Sequence, residues 1–299
     1  MSFRCALASL ERQDPLAGTA STVRAYLLVE DPGPWGVDAL RDSRIPSDVL
    51  AELRRRTTAA RLRPLLVRRP LRAGRPPGGG PVRVFAAYVD PVRPWLETTT
   101  LSGVESVLDL DIEALGRGGS PGLTPSEEPL FCVCTHGRHD ACCAERGRPV
   151  AGALAASHPE HSWEVSHIGG DRFAANVLVL PHGLYYGRVK PAAAPALAEA
   201  HLRGELDLEL LRGRSSLPFA AQVAEIELRR RLGAAGLDAV RLEWCRAQDD
   251  RTVVVLVAAG VRYRVVVGRG PGAARHQLTC RATRTNPVPE LVVESVEPA

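Results

Sequence analysis

The chain has 299 residues, enough for about two domains and a sizeable core. Hydrophobic residues make up 45% and charged residues 24%, a globular balance that excludes a disordered chain. The net charge of +4 rests almost wholly on arginine, since Lys190 is the only lysine; it is small for this length and makes no case for nucleic acid as a partner.

The first hundred residues predict an α/β layer. "VRAYLLVED" (23–31) is a buried strand ending in the turn "PGPWG". "PSDVLAELRRRTTAARL" (46–62) is a helix capped at Ser47, with Val49, Leu50 and Leu53 at helical spacing. "RPLLVRRP" (63–70) and "VRVFAAYVD" (82–90) are strands, with the Gly/Pro-rich "LRAGRPPGGGP" as the loop between them. Residues 101–127 are turn-rich and connecting. "PLFCVC" is a strand running into a cysteine loop, and "AERGRPVAGALAAS" (144–157) is the helix beyond it.

"HSWEVSHI" (161–168) and "FAANVLVLPHG" (173–183) are strands separated by the tight turn "GGDR". "LYYGRV" (184–189) forms a hairpin with the second of them, across Pro181, His182 and Gly183, with His182 exposed in the turn. "PAAAPALAEAHLRGEL" (191–206) is a helix with proline near its start. No long internal repeat stands out, and the two α/β halves before residue 210 are candidates for related units. Beyond them "SSLPFAAQVAEIELRRRLG" (215–233) is an amphipathic helix closed by Gly233. "VRLEWCRAQ", "TVVVLVAAG", "VRYRVVVGRG", "HQLTCRA" and "ELVVESVE" complete a small α+β unit that carries no ligand cluster. The expected division is 1–110, an N-terminal α/β half; 111–212, the region bearing the cysteine loop; and 213–299, the small α+β domain.

No apolar run approaches a membrane span. The opening "MSFRCALASLERQDPLAGT" has only a short apolar stretch, broken at Glu11, so no signal peptide is expected and the cytoplasm is the expected compartment. A reducing cytosol disfavours stable disulfides. Yet "FCVCTHGRHDACCAERG" (131–147) holds four of the seven cysteines and two of the eight histidines. Such crowding points to metal binding or catalysis, whereas Cys5, Cys245 and Cys280 stand apart and read as small buried hydrophobes.

Cys134 and Cys143 lie at either end of a polar loop that leaves a strand and enters a helix, where the helix dipole favours a thiolate. That setting suits a metal ligand and a nucleophile equally. In "SHIGGDRFAAN" (166–176), His167 and Asp171 sit four apart across two glycines that permit a sharp bend and a close approach. With the two cysteines they form a four-point cage.

"CTHGRHDACCAERGRP" followed by "WEVSHIGGDRFAANVLVLPHGLYYGRV" resembles the sucrase/ferredoxin-like family, a branch of the thioredoxin-like [2Fe–2S] ferredoxins; "DPLAGTA" (14–20) and "LLVEDPGPWG" (27–36) resemble its N-terminal half. The resemblance covers about residues 5–205. It implies a thioredoxin-like α/β fold and a [2Fe–2S] cluster held by a C-x8-C pair and two residues four apart, carried over as Cys134, Cys143, His167 and Asp171. Characterised fungal relatives have histidine at both later positions, so Asp171 is a departure, with Cys132, Cys142, His136 and His139 as reserve ligands. A carboxylate in place of an imidazole adds one negative charge and lowers the expected potential. Arg172, beside Asp171, is a candidate to offset that charge or to pair with a partner.

The resemblance implies one-electron transfer with an unidentified redox partner protein. Two other readings compete. Two cysteines, a histidine and an aspartate also suit a structural zinc module. "CVCTHGR" has the C-x5-R spacing of cysteine phosphatases from Cys132 to Arg138, but lacks the hydroxyl that usually follows the arginine. No carboxylate pair stands out for sugar hydrolysis.

Overall fold

The computed structural model describes residues 2–70, 80–270, 274–288 and 290–299. The loop expected at 71–81 lies, but for its last two residues, outside the described residues. The chain opens with α1 (Cys5–Glu11), which the sequence reading did not predict, and β1 (Ala25–Glu30) follows. Next come α2 (Ser47–Ala59), β2 (Arg63–Arg68), β3 (Val82–Tyr88), β4 (Trp95–Leu101), α3 (Ile112–Gly116) and β5 (Thr124–Pro125). The second half contains β6 (Leu130–Cys134), α4 (Ala141–Ser157), β7 (Ser162–Val165), β8 (Val177–Leu180), β9 (Leu184–Tyr186), α5 (Ala194–Leu202) and β10 (Leu211–Arg214). Then α6 (Phe219–Leu232) leads to β11 (Val240–Gln248), β12 (Arg251–Ala258), β13 (Val261–Arg269), β14 (Arg275–His276), β15 (Asn286–Pro287) and β16 (Leu291–Pro298).

The two halves repeat one connectivity. In each, a first strand crosses through a helix to a parallel second strand, and two antiparallel strands then add on the first strand's other side. β1, β2, β3 and β4 stand in the order β2-β1-β3-β4, and β6, β7, β8 and β9 in the order β7-β6-β8-β9. Both are thioredoxin-like layers. They join at their second strands, where β2 and β7 run antiparallel with Val67 opposite Val165, and the result is one sheet of ten strands.

This sheet has two faces with different cover. Alternation along β6 sends Phe131 and Val133 outward against Val150, Ala151 and Leu154 of α4, and Cys132 and Cys134 inward. On the first half, Leu27 and Val29 face α2, while Tyr26 and Leu28 face inward. Among the described residues the inner core takes only Cys143 of α4 from a helix. Instead the sheet curls until its own residues fill it: Tyr26 and Tyr185 bring their hydroxyls to 3.2 Å, and Phe85 and Trp163 pack edge to face with ring centroids 5.0 Å apart. Cys134 therefore ends a strand that is buried on both faces.

α6 closes the gap to the second sheet, an antiparallel meander in the order β11-β12-β13-β16. Its Ala221, Ala224 and Leu228 pack on Val254, Leu256, Val265 and Val267, while Ile226 reaches the core under α4. Buried Gln222 accepts from the Ala20 amide at 3.1 Å and donates to the Ala20 carbonyl at 3.1 Å, tying the helix to the bend ahead of β1.

Four local expectations are corrected. Pro46, not Ser47, occupies the cap position of α2, with no side-chain hydrogen bond; proline supplies the non-helical geometry there without an acceptor. α4 starts at Ala141, three residues early, because Asp140 caps it by accepting from the Cys142 amide at 2.9 Å. "HQLTCRA" is not a strand: the ladder stops at His276 and Cys280 lies in a turn. His182 is half-buried, its ring centroid 5.0 Å from that of His201.

Candidate metal centre

Three pieces of chain build the site. β6 carries Cys134 to its carboxyl end, where the Cys134 amide donates to the Asn176 carbonyl at 3.0 Å. The following loop doubles back onto α4, whose first turn supplies Cys143. The approach is tight: a methyl group added at Gly147 would stand 2.1 Å from the Cys134 carbonyl oxygen. The absence of a side chain there lets α4 lie against the end of β6.

The third piece is the bend after β7. Gly169 and Gly170 adopt φ of 97° and 79°, a region that side chains resist, and the bend folds Asp171 back beneath His167. A Cβ on Gly170 would also meet the Arg212 guanidinium at 2.3 Å. Arg212 is fully buried under the bend, donating to the Gly169 carbonyl at 3.0 Å, to Asn176 Oδ1 at 2.8 Å and to Thr19 Oγ1 at 3.0 Å. Asn176 in turn donates to the Gly170 carbonyl at 2.9 Å. A cation thus holds the bend from below.

The four residues of the proposed cage come together. The Cys143 thiol donates to Asp171 Oδ1 at 3.2 Å, His167 Nδ1 lies 3.0 Å from the same oxygen, and Cys134 contacts both Cys143 and His167. His167 Nδ1 makes no hydrogen bond despite that proximity; the Asp171 carboxylate is its ion-pair neighbour only. The Cys134 thiol is held well below its ordinary range by the Cys143 S–H and by His167, while the same contact and burial push Cys143 up. The contact favours the thiolate on Cys134 over that on Cys143. Burial opposes a charged His167, yet Asp171 and Cys134 outweigh it and raise the imidazole to about 9. Burial likewise opposes a charged Asp171, and His167 again prevails and lowers it.

The reserve ligands divide. His139 stacks on His167 with centroids 3.7 Å apart, and its Nε2 stands 3.7 Å from Asp171 Oδ2. His136 is spent on the backbone: Nε2 donates to the Gly36 carbonyl at 2.7 Å and Nδ1 accepts from the His167 amide at 3.3 Å. Cys132 is sealed in the inner core, where burial alone pushes it up to about 12. That environment does not make a nucleophile. Cys142 points away, toward Cys5 and Cys280. Arg172 does not reach Asp171; its guanidinium covers the Phe173 ring and its Nε is 3.5 Å from Asp14. The buried cation nearest the bend is Arg212, which holds it through neutral oxygens. No motif in the sequence marked it, since it lies 41 residues downstream of Asp171 and arrives only through β10.

Two expectations about outlying cysteines are corrected. Cys5 and Cys280 are not isolated: each lies beside Cys142, and the C-terminal unit does contribute a potential ligand. Partners far apart in sequence left no spacing to read.

A two-lobed α/β sheet that brings paired thiols, an imidazole and a carboxylate to one strand end presents a candidate metal site. The sequence profile of the sucrase/ferredoxin-like family matches residues 16–213, about two thirds of the chain, and the chain belongs to that family. Among solved structures it is similar to a cysteine-to-serine variant of the thioredoxin-like [2Fe–2S] ferredoxin from Aquifex aeolicus. The identity is 23%, over 28% of this chain and 96% of that one, with a TM-score of 0.24. No curated protein matches. Among the described residues no helix is long and apolar enough to cross a membrane.

Proposed function

We propose that this chain holds a [2Fe–2S] cluster through Cys134, Cys143, His167 and Asp171 and carries single electrons to and from a partner protein. The observation that supports it is the convergence of two buried sulfurs with a histidine and an aspartate at one strand end. The donor set fits the group: one thiol already tends to the thiolate, and one buried imidazole nitrogen lacks a hydrogen-bond partner. When bound, such a cluster accepts and releases one electron with little change of shape.

The chain's own residues would do the rest. Cys143 and His167 would each give up a proton to become ligands, so loading would release protons and strengthen as pH rises, against the hold of Asp171 and Cys134 that raises His167 to about 9. The buried Arg212 guanidinium offsets the charge of two thiolates and a carboxylate. The sulfurs lie inside, at 1% and 0% exposure, whereas His167 and His139 keep side-chain exposures of 27% and 35%. The imidazole edge is the short route for an electron to a docked partner. Seven free thiols suit a reducing compartment, and the cytoplasm is the compartment proposed.

The test is direct. Anaerobically purified protein should be red-brown, with about two irons and two acid-labile sulfides per chain, the stoichiometry of that cofactor. A colourless protein that carries only zinc on these four residues would overturn the reading.

A further inference from the structure

Cys5, Cys142 and Cys280 come from the first helix, the first turn of α4 and the C-terminal unit. Their sulfurs nevertheless meet: Cys142 and Cys280 at 3.4 Å, Cys280 and Cys5 at 3.5 Å. A disulfide needs about 2.05 Å, so these are separate thiols. The edge of a tetrahedron of sulfurs around zinc is about 3.8 Å, given a Zn–S bond of about 2.3 Å, and the observed separations lie close to it.

Asp140 supplies a fourth corner. It is fully buried, and one ligand atom from each of the four residues lies within 4.8 Å of all the others. Its two oxygens accept from the Cys142 amide at 2.9 Å and the Cys280 amide at 2.6 Å, which fixes their direction, and the Cys5 thiol donates to both at 3.6 and 3.5 Å, a contact that loss of its proton to a metal would replace. The Cys5 amide points at Cys280 Sγ from 3.5 Å. Amide donors aimed at the sulfur and the carboxylate are what a negatively charged coordination sphere requires.

We propose that Cys5, Cys142, Cys280 and Asp140 form a second, structural metal site that takes one zinc ion. Three soft thiolates and one oxygen donor around a single point select a tetrahedral divalent cation of zinc's type, and a closed set of four protein ligands marks a structural site. On binding, three S–H protons pass to solvent, three S–Zn bonds and one O–Zn bond form, and no electron moves. The ion staples the two ends of the chain, 275 residues apart, to the helix that presents Cys143.

The test uses the full-length chain, produced with zinc and iron supplied and purified without oxygen. Wild type should hold one zinc per chain through dialysis, whatever its iron content. Cys280→Ser, in a half-exposed turn, and Cys5→Ser should each weaken zinc retention at least tenfold and leave the visible spectrum unchanged. Cys134→Ser should leave zinc in place. Cobalt supplied in place of zinc should give thiolate charge-transfer bands that weaken in Cys280→Ser. Zinc lost only with Cys134→Ser, zinc unaffected by Cys280→Ser, no zinc in wild type, or a Cys142–Cys280 disulfide in the anaerobic protein would each overturn the proposal.

Discussion

Cys142 and Cys143 are adjacent in sequence, yet their sulfurs serve different clusters: Cys143 lies 3.2 Å from Asp171 Oδ1, Cys142 lies 3.4 Å from Cys280 Sγ. Successive residues in a helix's first turn point about 100° apart, so one turn can face both the sheet's inner core and the terminal segments. The two serine variants should therefore separate. Cys143→Ser should lose iron and colour, whereas Cys142→Ser should keep the visible spectrum. Equal loss of colour in both, measured on folded protein, would refute the division.

Asp171 is the proposed fourth ligand, and His139 Nε2 stands 3.7 Å from its Oδ2. Asp171→His should retain iron and raise the reduction potential, because one negative charge leaves the ligand sphere. Asp171→Ala alone should keep part of its iron through His139, while Asp171→Ala with His139→Ala should keep none. Iron analysis and potentiometric titration decide it. A potential unchanged in Asp171→His would remove Asp171 from the ligand set.

Gly147 sits in mid-helix, where alanine ordinarily gains about 1 kcal/mol. Here the added methyl meets a backbone carbonyl at 2.1 Å, which cannot rotate away. Overpacking of that kind costs about 1–3 kcal/mol. Gly147→Ala should be neutral to destabilising by up to about 2 kcal/mol and should loosen iron binding by moving α4 off β6. Denaturant melts and iron content measure both effects; a stabilised, fully loaded variant would contradict the close approach.

Burial lowers His201 to about 3, against about 6.5 in an unfolded chain. Between those values the unfolded chain binds a proton that the folded one refuses. Stability is therefore undiminished above pH 6.5 and falls below it, by about 1.4 kcal/mol per pH unit, until about pH 3. His182, lowered to about 4 chiefly by burial, adds to the same slope. In urea melts from pH 7 to pH 4, His201→Gln should flatten this acid limb. An unaltered slope would mean that His201 is protonated in the folded state.

The sequence by itself determined the strand–helix–strand order of each half, the strand that ends in Cys134, the double-glycine bend, and the candidates Cys134, Cys143, His167 and Asp171 that the fold then brings into contact. Those features are local: apolar runs, a C-x8-C spacing and glycines at a turn act over a few residues, so their consequences can be read along the chain. The sequence reading started α4 too late and therefore left Cys142 and Cys143 in a loop; the Asp140 cap that moves the boundary is one residue's hydrogen bond. Only the tertiary structure decided that the sheet curls onto its own inner face, that Arg212 lies under Gly170, and that Cys5 and Cys280 meet Cys142. Those contacts depend on how separately formed layers pack, and burial, not spacing, brings their partners together across most of the length of the chain.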